Sequence, residues 1–152
     1  MAGRRRVALH GCVLAAAEGM EGTDRQARAV GMLRELADDD VVVPAQALGE
    51  LYVRLQQNAY GAAAAVGIVR QWHAAYTIVS TRPAGVVEAM ELSVQRSISL
   101  WDALALAAAA QSGCRVLFSD TIPHGVSWRG TIVRTPVRGR SASGSVGSGP
   151  AG

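Results

Sequence analysis

Short apolar runs alternate with segments of helical periodicity along this chain. The runs are rich in Val, Leu and Ile and too short for helices, so they predict strands at residues 7–9, 41–43, 77–79, 115–118 and 131–134. Strands that alternate with helices pair in parallel through helical crossovers. The runs lack strict polar alternation, which indicates that helices cover both faces of the sheet. The pattern therefore predicts an α/β fold, a three-layer α/β/α sandwich with a central parallel sheet.

The segments between these runs repeat apolar residues at intervals of three and four, as helices with one buried face do. Predicted helices cover residues 13–17, 24–36, 45–58, 62–75, 83–94 and 99–112. Several have terminal signals in the sequence. Thr23 is the predicted N-cap of the second helix, Pro83 opens the fifth, and Ser99 caps the last, which ends at Gly113.

The composition changes beyond residue 137 to Ser, Gly, Arg and Pro. A segment with so few apolar side chains cannot build a core and is typical of a flexible linker. We therefore expect one domain over residues 1–137 and a flexible tail over residues 138–152.

The overall composition is that of a folded domain: 152 residues, 49% of them hydrophobic and 18% charged. The apolar runs are too short to span a bilayer, so we expect no membrane association. Residues 4–6 are all Arg, and with the apolar stretch that follows they resemble a crude signal peptide. His10 and Gly11 interrupt that stretch, and we favour a basic start followed by a first buried strand.

Charge and cysteine content narrow the possible functions only slightly. All 15 basic residues are Arg and the net charge is +3, which permits an RNA partner without requiring one. Cys12 and Cys114 are far apart in sequence and have no metal-type spacing, so neither a disulfide framework nor a zinc site is indicated. A reducing cytoplasm is the expected location.

Asp102 is the only charged residue in the apolar segment 100–110. A helix that is hydrophobic all round is usually buried, and a carboxylate carried inside costs free energy unless a partner compensates it. Two interpretations remain open. Ser99 and Asp102 have the spacing of a capping box, in which Asp102 only satisfies a backbone donor. Alternatively, Asp102 is a functional carboxylate, the interpretation that we prefer because the helix is so apolar.

Three further candidates follow predicted strands, namely His10, Glu50 and Asp120. Ligands of open parallel sheets bind at the carboxyl ends of the strands, and carboxylates that converge there suit a hard divalent cation. Each candidate also has a structural interpretation. Periodicity alone places Glu50 away from the apolar stripe of its helix, and Ser119-Asp120-Thr121 is ordinary turn chemistry. His10 could simply pack at a strand end.

Three stretches together resemble the PIN-domain family, in particular the VapC-type toxin ribonucleases of bacterial toxin–antitoxin pairs. The stretches are VVVPAQALGELY (41–52), SLWDAL (99–104) and GCRVLFSD (113–120), and the resemblance extends over residues 6–137. It implies a parallel sheet between helices and acidic residues around Mg²⁺ or Mn²⁺. It also implies hydrolysis of RNA, an antitoxin partner and a homodimer. Glu50 and Asp102 match the second and third acids of the family.

The sequence departs from the family pattern at two places. Where the family has a motif like Asp-Thr-Asn-Val-Leu, this chain has HGCVL at residues 10–14, so His10 replaces the first acid. Thr121 falls on the usual fourth acid, with Asp120 beside it. Mg²⁺ prefers oxygen ligands, whereas Mn²⁺, Fe²⁺ or Zn²⁺ accept imidazole more readily. His10 therefore indicates either a softer metal, with His10 as a ligand, or a weakened or lost metal site.

Three functional hypotheses follow. The first is an endoribonuclease with a depleted acidic site, in which Asp102 is the main metal ligand, Asp120 the second, and Glu50 orients or activates water. The second is a degenerate PIN domain that binds RNA or an antitoxin-like partner without cutting. The third, an unrelated small-molecule protein, ranks last because the chain has no phosphate-binding glycine loop and no nucleophile elbow.

Overall fold

The computed structural model describes residues 3–136. The strands are β1 (Arg6–Leu9), β2 (Asp40–Pro44), β3 (Thr77–Val79), β4 (Val116–Phe118), β5 (Ser127–Trp128) and β6 (Thr131–Arg134). The helices are α1 (Gly11–Ala17), α2 (Thr23–Glu35), α3 (Ala45–Gln57), α4 (Ala62–Ala75), α5 (Pro83–Arg96) and α6 (Leu100–Gln111).

The strands form one six-stranded sheet in the order β3-β2-β1-β4-β6-β5. All neighbouring pairs are parallel except β5 with β6. The predicted α/β fold is therefore confirmed, but the sheet is mixed rather than wholly parallel. The antiparallel strand β5 was missed because two residues are too few to show a pattern. Its hairpin turns at Arg129 and Gly130, which both have positive φ.

Alternate residues of the central strand β1 face opposite sides of the sheet, as the pleat requires. Val7 and Leu9 belong to a core cluster that includes side chains of α1, α3 and α4. Ala8 belongs to a second cluster formed largely by α5 and α6. The sheet therefore has a helical layer and an apolar core on each side, which is the predicted three-layer arrangement.

Helix α6 is buried along most of its length, as its uniformly apolar sequence predicts. It packs against α5 and the sheet, and its only charged residue, Asp102, lies in its first turn. The core of the fold therefore carries Asp102 to the carboxyl end of the sheet, where its side chain is only partly exposed.

Helix α2 begins at Thr23 itself, and its N-cap is Gly22 with no side-chain hydrogen bond, so the predicted cap at Thr23 is wrong. The predicted tail, residues 138–152, lies outside the described residues.

Within residues 3–136, no helix is both long enough and apolar enough to cross a membrane. Cys12 and Cys114 are both free and buried.

Candidate active site

Three parallel strands deliver the candidate residues to one edge of the sheet. His10 follows β1 directly, Ser119 to Thr121 follow β4, and α3 with Glu50 follows β2. The backbone N–H of His10 donates to the carbonyl of Phe118 at 3.0 Å, which fixes the end of β1 against the end of β4. The first residues after these strands are therefore held together by the sheet itself.

The side chains of His10, Glu50 and Asp102 converge at this edge. His10 Nε2 lies 3.6 Å from Glu50 Oε2 and 3.7 Å from Asp102 Oδ1. The imidazole is only 3% exposed, whereas the glutamate side chain is 31% exposed. Two carboxylates from different helices therefore meet at one buried ring nitrogen.

Asp102 is positioned by its helix and by Thr121. Ser99 caps α6 by accepting the backbone N–H of Asp102 at 3.1 Å, so the predicted N-cap is confirmed. The carboxylate of Asp102 accepts the hydroxyl of Thr121 at 2.9 Å. The aspartate side chain thus turns toward the sheet edge and the residue at the usual position of the fourth acid.

Ser119 and Thr121 form a small hydroxyl network on the other side of the His10 ring. Nδ1 of His10 lies 3.0 Å from Ser119 Oγ and 3.2 Å from Thr121 Oγ1. Cys12 Sγ lies 3.6 Å from the same nitrogen. The predicted turn at residues 119–121 is present, since Ser119 Oγ accepts the backbone N–H groups of Thr121 and Ile122.

The Asp120 side chain points toward α2 and not toward Glu50 and Asp102. Its carboxylate lies 3.6 Å from Arg25 Nη1 on α2. Its backbone N–H donates to Cys12 Sγ at 3.4 Å. Asp120 still acts on the ring electrostatically, because it is among the charges that favour a protonated His10. Its predicted part as a metal ligand stays a prediction.

Burial dominates the electrostatics of this cluster. Loss of solvent and, to a smaller extent, the nearby charge of Asp102 together raise the pKa of Glu50 from 4.5 to about 7. Burial also lowers the pKa of His10, although Asp102 and Asp120 oppose that shift. The Cys12 thiol, buried and close to Asp120, has a pKa of about 12 and stays protonated. Burial therefore favours the neutral form of the His10 imidazole in this site.

Glu50 reaches the cluster because residue 11 has no side chain. A Cβ atom on Gly11 would overlap Glu50 Oε2 and lie 3.2 Å from Glu50 Cβ. The buried Oε1 atom of Glu50 has no hydrogen-bond partner in the described structure. The periodicity of α3 predicted a solvated surface position for Glu50, and that interpretation is wrong because α1 packs over this part of α3.

An open pocket of about 770 Å³ lies over these side chains. Its lining residues are His10, Cys12, Gln46, Gly49, Glu50, Val53, Arg54, Trp101, Asp102 and Thr121. Sequence reasoning did not single out Gln46, Arg54 or Trp101 as site residues. Trp101 is 65% exposed although it adjoins Asp102 in an apolar helix. The sequence gives no signal for this exposure, because Trp101 stands in a helix that is apolar on every side.

Glu50 and Asp102 are the residues best placed to hold a cation. Within residues 3–136, no group of three or more His, Cys, Asp or Glu side chains has metal-binding geometry. Mg²⁺, however, commonly binds through one or two carboxylates, with water and substrate phosphate completing its shell. The unpartnered Oε1 of Glu50 is an available oxygen ligand. The donor set therefore fits a hard divalent cation in an open site rather than a closed metal cage.

Solved structures with this fold include several toxins. VapC20 of Mycobacterium tuberculosis, a sarcin–ricin-loop-cleaving toxin, is 21% identical with a TM-score of 0.62, covering 73% of this chain and 86% of its own. A toxin–antitoxin complex from Klebsiella pneumoniae is 17% identical with a TM-score of 0.63, covering 86% and 97%. VapBC2 from Rickettsia felis, bound to a promoter DNA fragment, is 13% identical with a TM-score of 0.63, covering 86% and 98%.

These likenesses establish the fold, and the sequence itself establishes the family. A comparison with curated protein sequences gives no match. The family model of the PIN domain, in contrast, matches residues 11–127, which includes Glu50, Asp102 and Asp120. The chain therefore belongs to the PIN-domain family.

Proposed function

We propose that this PIN domain is an endoribonuclease that hydrolyses phosphodiester bonds with the help of a divalent cation, and that it is the toxin of a toxin–antitoxin pair. The observation that carries the proposal is the convergence of Glu50 and Asp102 in an open pocket at the carboxyl ends of β1 and β4. Ligands of open α/β sheets bind at this edge. The sarcin–ricin-loop cleavage by VapC20, a protein of the same fold, supports RNA as the substrate.

Asp102 is the main cation ligand in this proposal, because α6 and Thr121 fix its carboxylate. Glu50 supplies a second carboxylate, which would bind the cation or orient the attacking water. A bound Mg²⁺ or Mn²⁺ would lower the pKa of water and stabilise an in-line displacement at phosphorus. Asp120 would bind the cation as a third carboxylate only if its side chain moved away from Arg25.

Trp101 supplies a surface for a nucleobase next to this site. Its indole is exposed on the pocket wall, one residue before Asp102, and its carbonyl accepts the Gln46 side chain at 3.0 Å. Bases splayed out of single-stranded RNA stack on such aromatic side chains. A base stacked on Trp101 would bring the adjoining phosphate toward Glu50 and Asp102.

An antitoxin protein is the proposed regulatory partner. The solved toxin–antitoxin complex from Klebsiella pneumoniae contains a protein of this fold, which supports the same arrangement here. A homodimer, a cytoplasmic location and a domain boundary at residue 137 stay predictions.

A second candidate function is a PIN domain that binds RNA or an antitoxin-like partner without cutting. His10 favours it, because this residue replaces the acid expected after β1 and its Nε2 faces both remaining carboxylates. Loss of one negative charge weakens the attraction of the site for a divalent cation.

Cleavage of a panel of structured and single-stranded RNAs, with Mg²⁺ and separately with Mn²⁺, tests the proposal. We expect divalent-dependent cleavage by the wild type and none by Asp102→Asn. The exposed aspartate of α2 provides a matched control, Asp24→Asn, which should cleave like the wild type. RNA binding without cleavage by the wild type would favour the second candidate, and cleavage that survives Asp102→Asn would overturn the first.

A further inference from the structure

We propose that His10 keeps its ring proton on Nε2 and presents this N–H to Glu50 and Asp102, so that the imidazole competes with a cation for the two carboxylates. The proposal deepens the proposed function, since it concerns the same site. It does not require that the protein cleaves RNA, because the position of the proton can be observed directly.

The hydroxyl of Ser119 determines which ring nitrogen carries the proton. Ser119 Oγ accepts the backbone N–H of Thr121 at 3.2 Å and that of Ile122 at 3.2 Å. A hydroxyl has two acceptor lone pairs and one donor hydrogen, so both lone pairs of Ser119 are engaged. Its hydrogen must then point to an acceptor, and His10 Nδ1 at 3.0 Å is the nearest one. A ring nitrogen that accepts a hydrogen bond carries no proton, which leaves the proton on Nε2.

The alternative tautomer has poorer partners. A proton on Nδ1 would have to be donated to Thr121 Oγ1 at 3.2 Å, and the Ser119 hydroxyl would lose its nearest acceptor. In that tautomer Thr121 Oγ1, whose own hydrogen goes to Asp102 Oδ1 at 2.9 Å, would accept from both Nδ1 and the Ser119 hydroxyl, each at 3.2 Å. The shorter contact of 3.0 Å between Ser119 Oγ and Nδ1 therefore favours Nδ1 as the acceptor.

The carboxylates in front of the ring favour the same tautomer independently. Nε2 lies 3.6 Å from Glu50 Oε2 and 3.7 Å from Asp102 Oδ1, and in the described structure it has no hydrogen-bond partner. Where both carboxyl groups are ionised, a lone pair on Nε2 would face two acceptor groups and be repelled, whereas an N–H is attracted by both. Because the ring is 3% exposed, bulk water cannot take over this role.

An N–H directed at both carboxylates has a consequence for metal binding. A proton on Nε2 removes the lone pair with which this nitrogen would bind a metal. In this tautomer Nε2 is therefore a hydrogen-bond donor and not a metal ligand. A cation that binds Glu50 and Asp102 must displace these carboxylates from the N–H. His10 therefore lowers the affinity of the site for divalent cations instead of contributing to it.

The tautomer can be read from the ring nitrogen resonances in a long-range ¹H–¹⁵N spectrum of the uniformly labelled wild type. His10→Gln assigns the signals, since the chain has only two other histidines, His73 and His124. We expect the shift of a protonated nitrogen at Nε2 and of an unprotonated one at Nδ1. In Ser119→Ala, which lacks the proposed donor, we expect the two shifts to move toward each other. A proton on Nδ1 in the wild type would overturn the proposal.

Mn²⁺ binding, followed by the electron paramagnetic resonance signal of the free ion, distinguishes competition from coordination. If His10 competes with the cation, His10→Ala binds Mn²⁺ more tightly than the wild type. If His10 is a ligand, His10→Ala binds Mn²⁺ more weakly, and weaker or equal binding would overturn the proposal. Neither experiment measures cleavage, so a failure of the proposed ribonuclease activity remains distinguishable from a failure of this inference.

Discussion

Glu50 and Gly11 share one small volume at the start of α1. The glutamate carboxylate fills the space in which a Cβ atom on residue 11 would lie, and the Glu50 Cβ atom is 3.2 Å from that point. His10, which stands in place of the family's first acid, therefore adjoins Gly11 in sequence and Glu50 in space. The missing side chain at residue 11 allows Glu50 to lie beside the imidazole.

Gly11→Ala should displace Glu50 and destabilise the protein. The Glu50 carboxylate can rotate away, but its Cβ atom is held by the backbone of α3 at 3.2 Å from the added methyl group. Overpacking typically costs about 1–3 kcal/mol, against a gain of up to about 1 kcal/mol from helix propensity. Gly31→Ala is the matched control, since this helical glycine of α2 has no atom within 4 Å of an added Cβ. Urea unfolding should show Gly11→Ala less stable and Gly31→Ala more stable than the wild type. Equal effects of the two substitutions would refute the close contact.

The stability of the protein should depend on pH through Glu50. Burial raises the pKa of this carboxyl from 4.5 to about 7, so between these values the folded protein keeps a proton that the unfolded chain releases. The free energy of unfolding therefore falls as the pH rises through this interval. In Glu50→Gln this contribution disappears, and the fall should be smaller. Urea titrations across the interval test this, and parallel curves for the two proteins would contradict it.

Ser99→Ala should weaken the start of α6 and loosen Asp102. The serine accepts the backbone N–H of Asp102 at 3.1 Å, and loss of such a cap costs about 1 kcal/mol. Ser80, an exposed serine outside the helices, provides the control Ser80→Ala. Thermal and urea unfolding should show a loss of stability for Ser99→Ala alone. If both variants are as stable as the wild type, the cap contributes nothing.

Trp101→Ala should lower RNA affinity with little change in stability, because the indole is 65% exposed. Stacking of one base on an aromatic side chain contributes about 1–3 kcal/mol, so the Kd should rise by roughly tenfold to a hundredfold. Binding is measured in an Asp102→Asn background to prevent cleavage. Trp101→Phe should retain most of the affinity.

Val94→Ala is the control for this measurement. Val94 is an apolar residue of α5 that is 80% exposed and does not line the pocket. An equal loss of affinity in Trp101→Ala and Val94→Ala would argue against a stacking site at Trp101.

The sequence predicts the parts of the fold that depend on local pattern. The buried helix α6, its cap at Ser99 and five of the six strands follow from apolar spacing and terminal residues. The strand β5 does not, since its two residues, Ser127 and Trp128, gain their pairing only from the neighbouring β6. The N-cap of α2 was predicted one position too late, at Thr23. The observed N-cap, Gly22, makes no side-chain hydrogen bond and so leaves no signal in the sequence.

The candidate site shows the same limit. Asp102 stands out in the sequence because its neighbours are apolar, but the periodicity of α3 assigned Glu50 to the surface. Only the packing of α1 over α3, through Gly11, reveals that Glu50 is partly buried. The hydroxyl network of Ser119 and Thr121 joins the loop after β4 to His10, more than a hundred residues earlier in the chain, and local sequence has no signal for such a contact.

RNA cleavage by His10→Asp should be compared with cleavage by the wild type and by the double variant His10→Asp/Asp102→Asn. This comparison examines the claim that Glu50 and Asp102 form a nuclease site in which His10 has replaced one acid. We expect His10→Asp to cleave faster than the wild type in Mg²⁺, because the carboxylate adds a cation ligand and removes the competing N–H. We expect the double variant to be inactive. Cleavage by the double variant at the rate of His10→Asp would contradict the claim.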